Sequence, residues 1–287
     1  QTSRQRLHVI VLCRNASNAK SIRQFGVRVL WGDLDRAHSL ARFAGLAHRV
    51  VHLAPPDDAS EQWWRDLRTL ALVRALRRRM APRQLVYGST SGVYGNRHGS
   101  WVSEVMPAQP HTPRACRRAD AERIVRHWGR TQAAKAPPSC SVSILRISAI
   151  YAPDRAGSTP RERLLRGMSV LTRADDIYIN HVHADDLARA CWLAMWRGKK
   201  QRIYNVNDDS SMKMGDYFEM AADLYNLPKP SRLPLQVARE ILPLSLLGFM
   251  QESRRMRNTR IKQELRWRPH YPTPADGLQG DIQGRLF

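Results

Sequence analysis

Gln84-Leu85-Val86-Tyr87-Gly88 runs directly into Ser89-Thr90-Ser91-Gly92-Val93-Tyr94-Gly95, and the first five residues read as a strand closed by a glycine-bearing loop. Short apolar runs of this kind recur along the first half of the chain. Leu7-His8-Val9-Ile10-Val11-Leu12-Cys13 gives way to polar Arg14-Asn15, and Val27-Arg28-Val29-Leu30-Trp31 stops at Gly32-Asp33. Arg49-Val50-Val51-His52-Leu53-Ala54 ends at Pro55-Pro56, because proline offers no ladder donor. Val142-Ser143-Ile144-Leu145-Arg146-Ile147 is a further strand. Helix-like segments fall between them, near 17–24, 36–44, 60–80 and 114–129. In the third, Leu67, Leu70, Val73, Leu76 and Met80 recur every three or four residues, which predicts one face for a sheet to cover. Regular β–α alternation implies a mostly parallel sheet with right-handed crossovers. Strands 27–31, 49–54 and 84–88 are then expected side by side, with their carboxyl ends at one rim.

Beyond residue 150 the pattern changes. Proline and arginine punctuate 153–166, Tyr178–Val182 is a short extended segment, Ala184–Trp196 a helix and Ile203–Val206 a returning strand. Helices are expected near 213–225, 234–242 and 256–265, and a proline-rich tail from Pro269 is expected to wrap the surface. Residues 1–150 therefore read as one α/β region built on a mostly parallel sheet. Residues 151–287 read as a smaller region completing the fold and forming the substrate side. Open sheets of this kind bind ligands beyond the carboxyl ends of their strands. That directs attention to Arg14, Asp33, Leu34, Leu53, Ala54, Ser89 and Thr90.

The 287 residues carry a net charge of +22, from 40 Arg and 7 Lys against 25 acidic residues. A basic surface follows. The cations are scattered, with no zinc-finger spacing, aromatic RNA-binding strand or basic region with heptads, so a dedicated nucleic-acid site is not expected. The apolar stretches 184–196 and 233–250 are broken by charged or polar residues, too short to span a bilayer. Nothing at the amino terminus resembles a secretion signal. Four dispersed cysteines without a CxxC pair suit a reducing cytoplasm. His181 and His183 share a strand face but lack a third ligand, and Asp185-Asp186 suits the cap of the next helix, so no metal is expected.

Several segments, taken in order, resemble the extended short-chain dehydrogenase/reductase family, the NAD-dependent epimerase/dehydratase group, in a less typical form. They are Gly32-Asp33-Leu34-Asp35, His52-Leu53-Ala54, Ser89–Gly95, Leu145–Tyr151, His181–Ala188 and Tyr204–Asp208. Residues 256–271 resemble the family's closing helix and Leu-Arg-Trp-Arg segment. The resemblance implies a Rossmann-like fold, an NADP or NAD cofactor, a small-molecule substrate and hydride exchange at a carbonyl or alcohol carbon. It also implies an opening strand and a glycine-rich turn that hold the dinucleotide diphosphate. Here the chain opens at what resembles the second family strand. The missing strand belongs in mid-sheet, so two neighbours would lack a ladder partner, and about 20–30 residues of an upstream stretch are the expected explanation.

By the same resemblance Asp33 faces the adenine amino group, and Arg14 stands where an acidic residue would hold the ribose of NAD. An arginine there suits the extra phosphate of NADP. Thr90 takes the position that orients the reacting oxygen, and Tyr94 is a second candidate beside it. The family's proton-donating Tyr and its partner Lys correspond to Arg114 and Arg118, and arginine does not release a proton at neutral pH. One helical turn apart, these two could instead clamp a carboxylate or phosphate. Tyr225-Asn226-Leu227-Pro228-Lys229 spells a similar pair, but Pro228 interrupts the turn needed to bring its ends together. The expected function is an NAD(P)-dependent oxidoreductase or epimerase of unknown substrate, with a homodimer left open. The alternative is a non-catalytic dinucleotide-sensing or protein-interaction protein on the same fold.

Overall fold

A computed structural model describes residues 7–59, 61–133, 140–153, 157–241 and 252–283. In chain order it begins β1 (Ile10–Cys13), α1 (Ala16–Arg23), β2 (Arg28–Trp31), a 3-10 helix (Ala37–Phe43), β3 (Arg49–His52), α2 (Leu67–Leu76) and β4 (Gln84–Thr90). A second 3-10 turn (Ser91–Tyr94), β5 (Trp101–Val102), α3 (Pro113–Ala133), β6 (Ser141–Ile147) and β7 (Ala149–Tyr151) follow. The second half contains α4 (Arg161–Leu165), β8 (Val170–Leu171), β9 (Tyr178–Ile179), β10 (His181–His183), α5 (Ala184–Arg197) and β11 (Arg202–Val206). It closes with β12 (Met212–Lys213), α6 (Met214–Tyr225), β13 (Arg232–Leu233), α7 (Leu235–Ile241), β14 (Arg255–Met256), α8 (Thr259–Leu265) and α9 (Pro274–Gln283).

The centre is a parallel sheet in the order β11-β6-β4-β3, with Tyr87 opposite His52 and Ile144. Side chains alternate between two buried faces, which is why these strands read as almost unbroken apolar runs. Leu85, Tyr87, Val142 and Ile144 pack with Leu72, Val73 and Leu76 of α2 and Val125 and Trp128 of α3. Val86, Leu145 and Tyr204 face Leu187, Ala190 and Ala194 of α5, and Ile261 and Trp267. A third cluster, around Tyr151, Phe218, Met214 and Leu278, gathers α4, α6 and α9 of the C-terminal part. These layers form the expected Rossmann-like α/β fold.

The sheet is interrupted. β1 and β2 pair in parallel as a separate ladder, so 27–31 is not hydrogen-bonded to the sheet holding 49–54 and 84–88. Among the described residues β1 pairs only with β2, and β3 has a partner only in β4. Both strands are half-buried beside the fully covered β6. Trp192 and Trp196 of α5 remain 45% and 46% exposed, and Arg49 at the start of β3 lies 3.8 Å over the Trp196 ring. The two ladders still share a rim. Arg68 of α2 binds both Asp35 after β2 (2.6 and 2.7 Å) and the Pro55 carbonyl after β3 (3.1 Å). At the opposite margin the free edge of β11 is closed by side chains. The Asn205 N–H donates to Glu104 Oε1, and Arg260 donates to the Ile203 carbonyl, each at 3.0 Å.

Several boundaries differ from the sequence reading. The helix expected over 60–80 covers only Leu67–Leu76, since the Asp66 side chain accepts the Thr69 N–H at 2.9 Å and caps its start. Its covered stripe is Thr69, Leu72, Val73 and Leu76, leaving Leu67 and Met80 exposed. The segment near 36–44 is 3-10 helix. The tail expected to wrap the surface forms α9, whose Leu278 is fully buried.

Candidate functional site

The rim at the carboxyl ends of β1, β2, β3 and β4 gathers most of the residues singled out in the sequence. Arg14 leaves β1 with its side chain 57% exposed and its guanidinium 3.6 Å from Asp35. Asp33 organises the turn after β2, accepting the Asp35 N–H at 3.0 Å while its own N–H donates to Ser39 Oγ at 2.9 Å. Leu34 packs against the α2–α3 core, whereas Leu53 after β3 keeps 47% of its surface open.

Beneath this rim lies a buried polar chain. The Thr69 hydroxyl donates to Asp66 Oδ2 (2.8 Å), so it accepts from His52 Nε2 (2.9 Å), which fixes His52 as the neutral Nε2–H tautomer. Burial, reinforced by the nearby Arg118 charge, lowers the His52 pKa to about 4. The Asp66 N–H donates to Asp120 Oδ2 at 3.0 Å, tying α2 to α3. Burial also raises the Asp66 carboxyl above its usual range, against the two Thr69 hydrogen bonds.

Arg114 and Arg118 take different roles. Arg114 is exposed in the first turn of α3 and has no ion-pair partner among the described residues. Arg118 is buried. Its Nη1 donates to the carbonyls of Gly88 (2.7 Å) and Ala54 (3.3 Å) and to the Tyr87 hydroxyl (3.2 Å). It thus stitches the ends of β3 and β4 together and does not join Arg114 in presenting a free fork.

The loop after β4 is a 3-10 turn capped by Thr90, whose Oγ1 accepts the Gly92 N–H at 3.3 Å. That leaves the Thr90 hydroxyl proton free for another acceptor. Gly95 closes the turn at φ 66°, where a Cβ would run into the Gln109 carbonyl, so only glycine fits. Ser89 does not open onto the rim, since its hydroxyl donates to Glu122 at 2.6 Å. Tyr94 is fully buried, donates to Asn205 Oδ1 at 2.7 Å and lies 4.6 Å beneath the Arg146 guanidinium. Burial raises its phenol pKa, against the neighbouring Arg146 charge.

The sequence reading did not identify the groups holding this loop. Glu122 accepts Arg146 through Nε (3.1 Å) and Nη2 (2.8 Å), a fully buried ion pair under Ser89. Arg254 donates to the Gly95 carbonyl and Ser91 Oγ from the far end of the chain. One signal was available: Arg146 is a charge at an inward position of an otherwise apolar strand. The Tyr225–Lys229 pair does not form a site, because α6 ends at Tyr225 and Lys229 pairs with Asp223 at 3.1 Å. His181 stacks on Tyr217 at 4.1 Å, and the His183 ring accepts the Asp185 N–H. Among the described residues no group of three or more His, Cys, Asp or Glu is placed to hold a metal, and no helix is long and apolar enough to cross a membrane.

Comparison with known proteins bears on the family and the fold. The family described as NAD dependent epimerase/dehydratase matches residues 2–207. A curated relative, 3-diazoavenalumate denitrifying reductase from a Streptomyces species, is 26% identical over 139 residues, which cover 47% of this chain and 45% of the relative. The match thus spans about half the length of that relative. Among solved structures, a functionally unknown conserved protein from Silicibacter pomeroyi superposes with a TM-score of 0.76 at 26% identity, covering 98% of this chain and 91% of that one. UDP-glucose 4-epimerase from Thermotoga maritima, solved with UDP-glucose, gives 0.75 at 20% identity, covering 98% and 92%. RMD from Pseudomonas aeruginosa, complexed with NADPH, gives 0.70 at 18%, covering 96% and 98%. The last two bear on the fold alone.

Proposed function

The chain belongs to the NAD dependent epimerase/dehydratase family, and from that premise we propose that it is an oxidoreductase that binds NADP(H) along the carboxyl rim and acts on a small carbonyl or alcohol substrate. The observation that carries this reading is the gathering of Arg14, Asp33, Leu34, Leu53, Ala54 and Thr90 at the ends of successive parallel strands. The fit to a dinucleotide is good at the adenosine end. There an exposed guanidinium and a turn carboxylate flank Asp35, and the open apolar surface of Leu53 follows the next strand on the same rim. No described residue forms a glycine-rich turn opening a helix for the diphosphate.

When bound, the dinucleotide supplies or accepts the hydride. Arg14 would hold its ribose phosphate, and Arg118 keeps the β3 and β4 ends fixed around it. The Thr90 hydroxyl donates a hydrogen bond to the substrate oxygen, stabilising the negative charge that hydride arrival creates there. Arg114, free and cationic, anchors an anionic group of the substrate. The proton that completes reduction comes from solvent at the open rim, since neither arginine releases one.

A second reading, a dinucleotide sensor without turnover, is favoured by the burial of Tyr94 and by arginine at both positions 114 and 118. Titration with NADPH and NADH, followed by an assay for NADPH oxidation with carbonyl substrates, separates the two. NADPH is expected to bind more tightly than NADH, and Arg14→Ala to weaken NADPH about tenfold while leaving NADH unchanged. Failure of the protein to bind either dinucleotide, with the upstream stretch present as well as without it, would sink both readings. Binding without turnover would leave only the sensor.

A further inference from the structure

A cleft of about 750 Å³ runs along the flank of α3 that faces β6 and β11. None of Arg14, Asp33, Leu53 or Thr90 lines it. Cys116, Ala119, Arg123 and Arg126 form its helical wall. Their spacing of three and four makes it about 15 Å long at 1.5 Å per residue. At the start of the helix Cys116 Sγ meets the Pro110 carbonyl, and Trp64, Met106 and Pro107 add apolar surface to the wall. Trp64 is 43% exposed and Met106 37%.

The polar portion is at the other end. Gly129, one turn beyond Arg126, is close-packed against the Gln201 side chain, so Gln201 lies beside the helical turn that follows Arg126, and both line the cleft. Both side-chain polar atoms of Gln201 are buried without a partner, and Arg126 has no ion-pair partner among the described residues. Between the two ends Arg146, 3% exposed, lines the cleft with its Nη1 buried and unbonded. The carboxylates in the wall are committed, Glu122 to Ser89 and Arg146, and Glu104 to the Asn205 amide, with Arg260 3.7 Å away. Buried donors left without an acceptor cost free energy unless something fills the space. Here an unpaired cation and two unused donor groups face one cavity whose other end is aromatic and apolar.

We infer that this cleft is a second binding site, for an organic anion with a flat apolar body and a phosphate or carboxylate head. The head sits between Arg126 and the Gln201 amide, and the body lies against Trp64, Met106 and Pro110. The site is independent of the dinucleotide rim and does not depend on the activity proposed for it.

Calorimetric titration of the whole chain with 2-naphthyl phosphate, inorganic phosphate and 2-naphthol tests the assignment. Naphthyl phosphate is expected to bind at least tenfold more tightly than either fragment, and NADPH should not displace it. Arg126→Gln should weaken it about tenfold, and Trp64→Ala should weaken it while leaving inorganic phosphate unchanged. Arg78→Gln, an exposed change at the end of α2 outside the cleft, should have no effect, and all three variants should keep the parent melting midpoint. The inference is overturned if naphthyl phosphate fails to bind, if NADPH displaces it, or if Arg78→Gln weakens it as much as Arg126→Gln. Gel filtration showing that Arg126→Gln dissociates a dimer would overturn it too, since a second copy would then fill the cleft.

Discussion

Glu122→Ala is expected to lose about 3–5 kcal/mol of folding stability, because it leaves the Arg146 charge buried with no counterion. Burial is the largest single influence and works against that charge, but the Glu122 hydrogen bonds and charge, together with Tyr94, outweigh it and raise the Arg146 pKa. Ser89 loses its acceptor in the same change. Urea unfolding gives the number. Glu122→Leu combined with Arg146→Met should recover most of the loss, since an apolar pair of similar volume carries no desolvation cost. A single-variant loss below about 1 kcal/mol would show that Arg146 reaches water or another acceptor.

The second large effect is on pH. Asp208 is 1% exposed, with Oδ1 taken by the Ser210 amide and hydroxyl and Oδ2 unpartnered. Burial pushes its carboxyl up to about 8. A raised value means that the folded state holds the proton more tightly. Stability from this group is therefore whole below the ordinary 3.8 and is lost as the pH climbs to about 8. His181 and His52 act in the opposite direction. Burial lowers them to about 3 and about 4, so their stability is present above 6.5 and is lost as the pH falls to those values. Between pH 4 and 6.5 two histidines outweigh one carboxyl. Above 6.5 only Asp208 of the three still titrates, so their joint contribution peaks near pH 6.5. Asp208→Asn should remove the alkaline decline, worth about 2 kcal/mol between pH 6.5 and 8. Urea unfolding of both proteins at pH 6.5 and 8.5 is the measurement, and an equal decline in the two would exclude Asp208 as its source.

The strands and their crossovers were legible because period and punctuation are local properties. β3 ended at His52, two residues before the stop expected at Pro55-Pro56, and the doubly buried β4 and β6 read as apolar runs. The helix over 60–80 was overextended because Leu67 and Met80 fit the spacing, whereas the true start depends on Asp66 turning back to cap Thr69. Pairings between distant segments left no local trace. β5 joins β14 across more than 150 residues, and Arg254 reaches the Ser91 loop from similar range. At the rim, residue identities pointed to Arg14 and Asp33 as candidates. They could not show that Arg118 turns inward to three oxygens while Arg114 stays free, since that depends on how α3 rolls against the sheet.

The margin at β11 is sealed by Glu104 and Arg260, whereas among the described residues the sides of β1 and β3 turned away from β2 and β4 carry no such cover. An extended peptide entering between them would gain main-chain bonds on both flanks at once, which an outer edge cannot offer. Any strand that pairs there, from this polypeptide or from another, should therefore join both ladders at once.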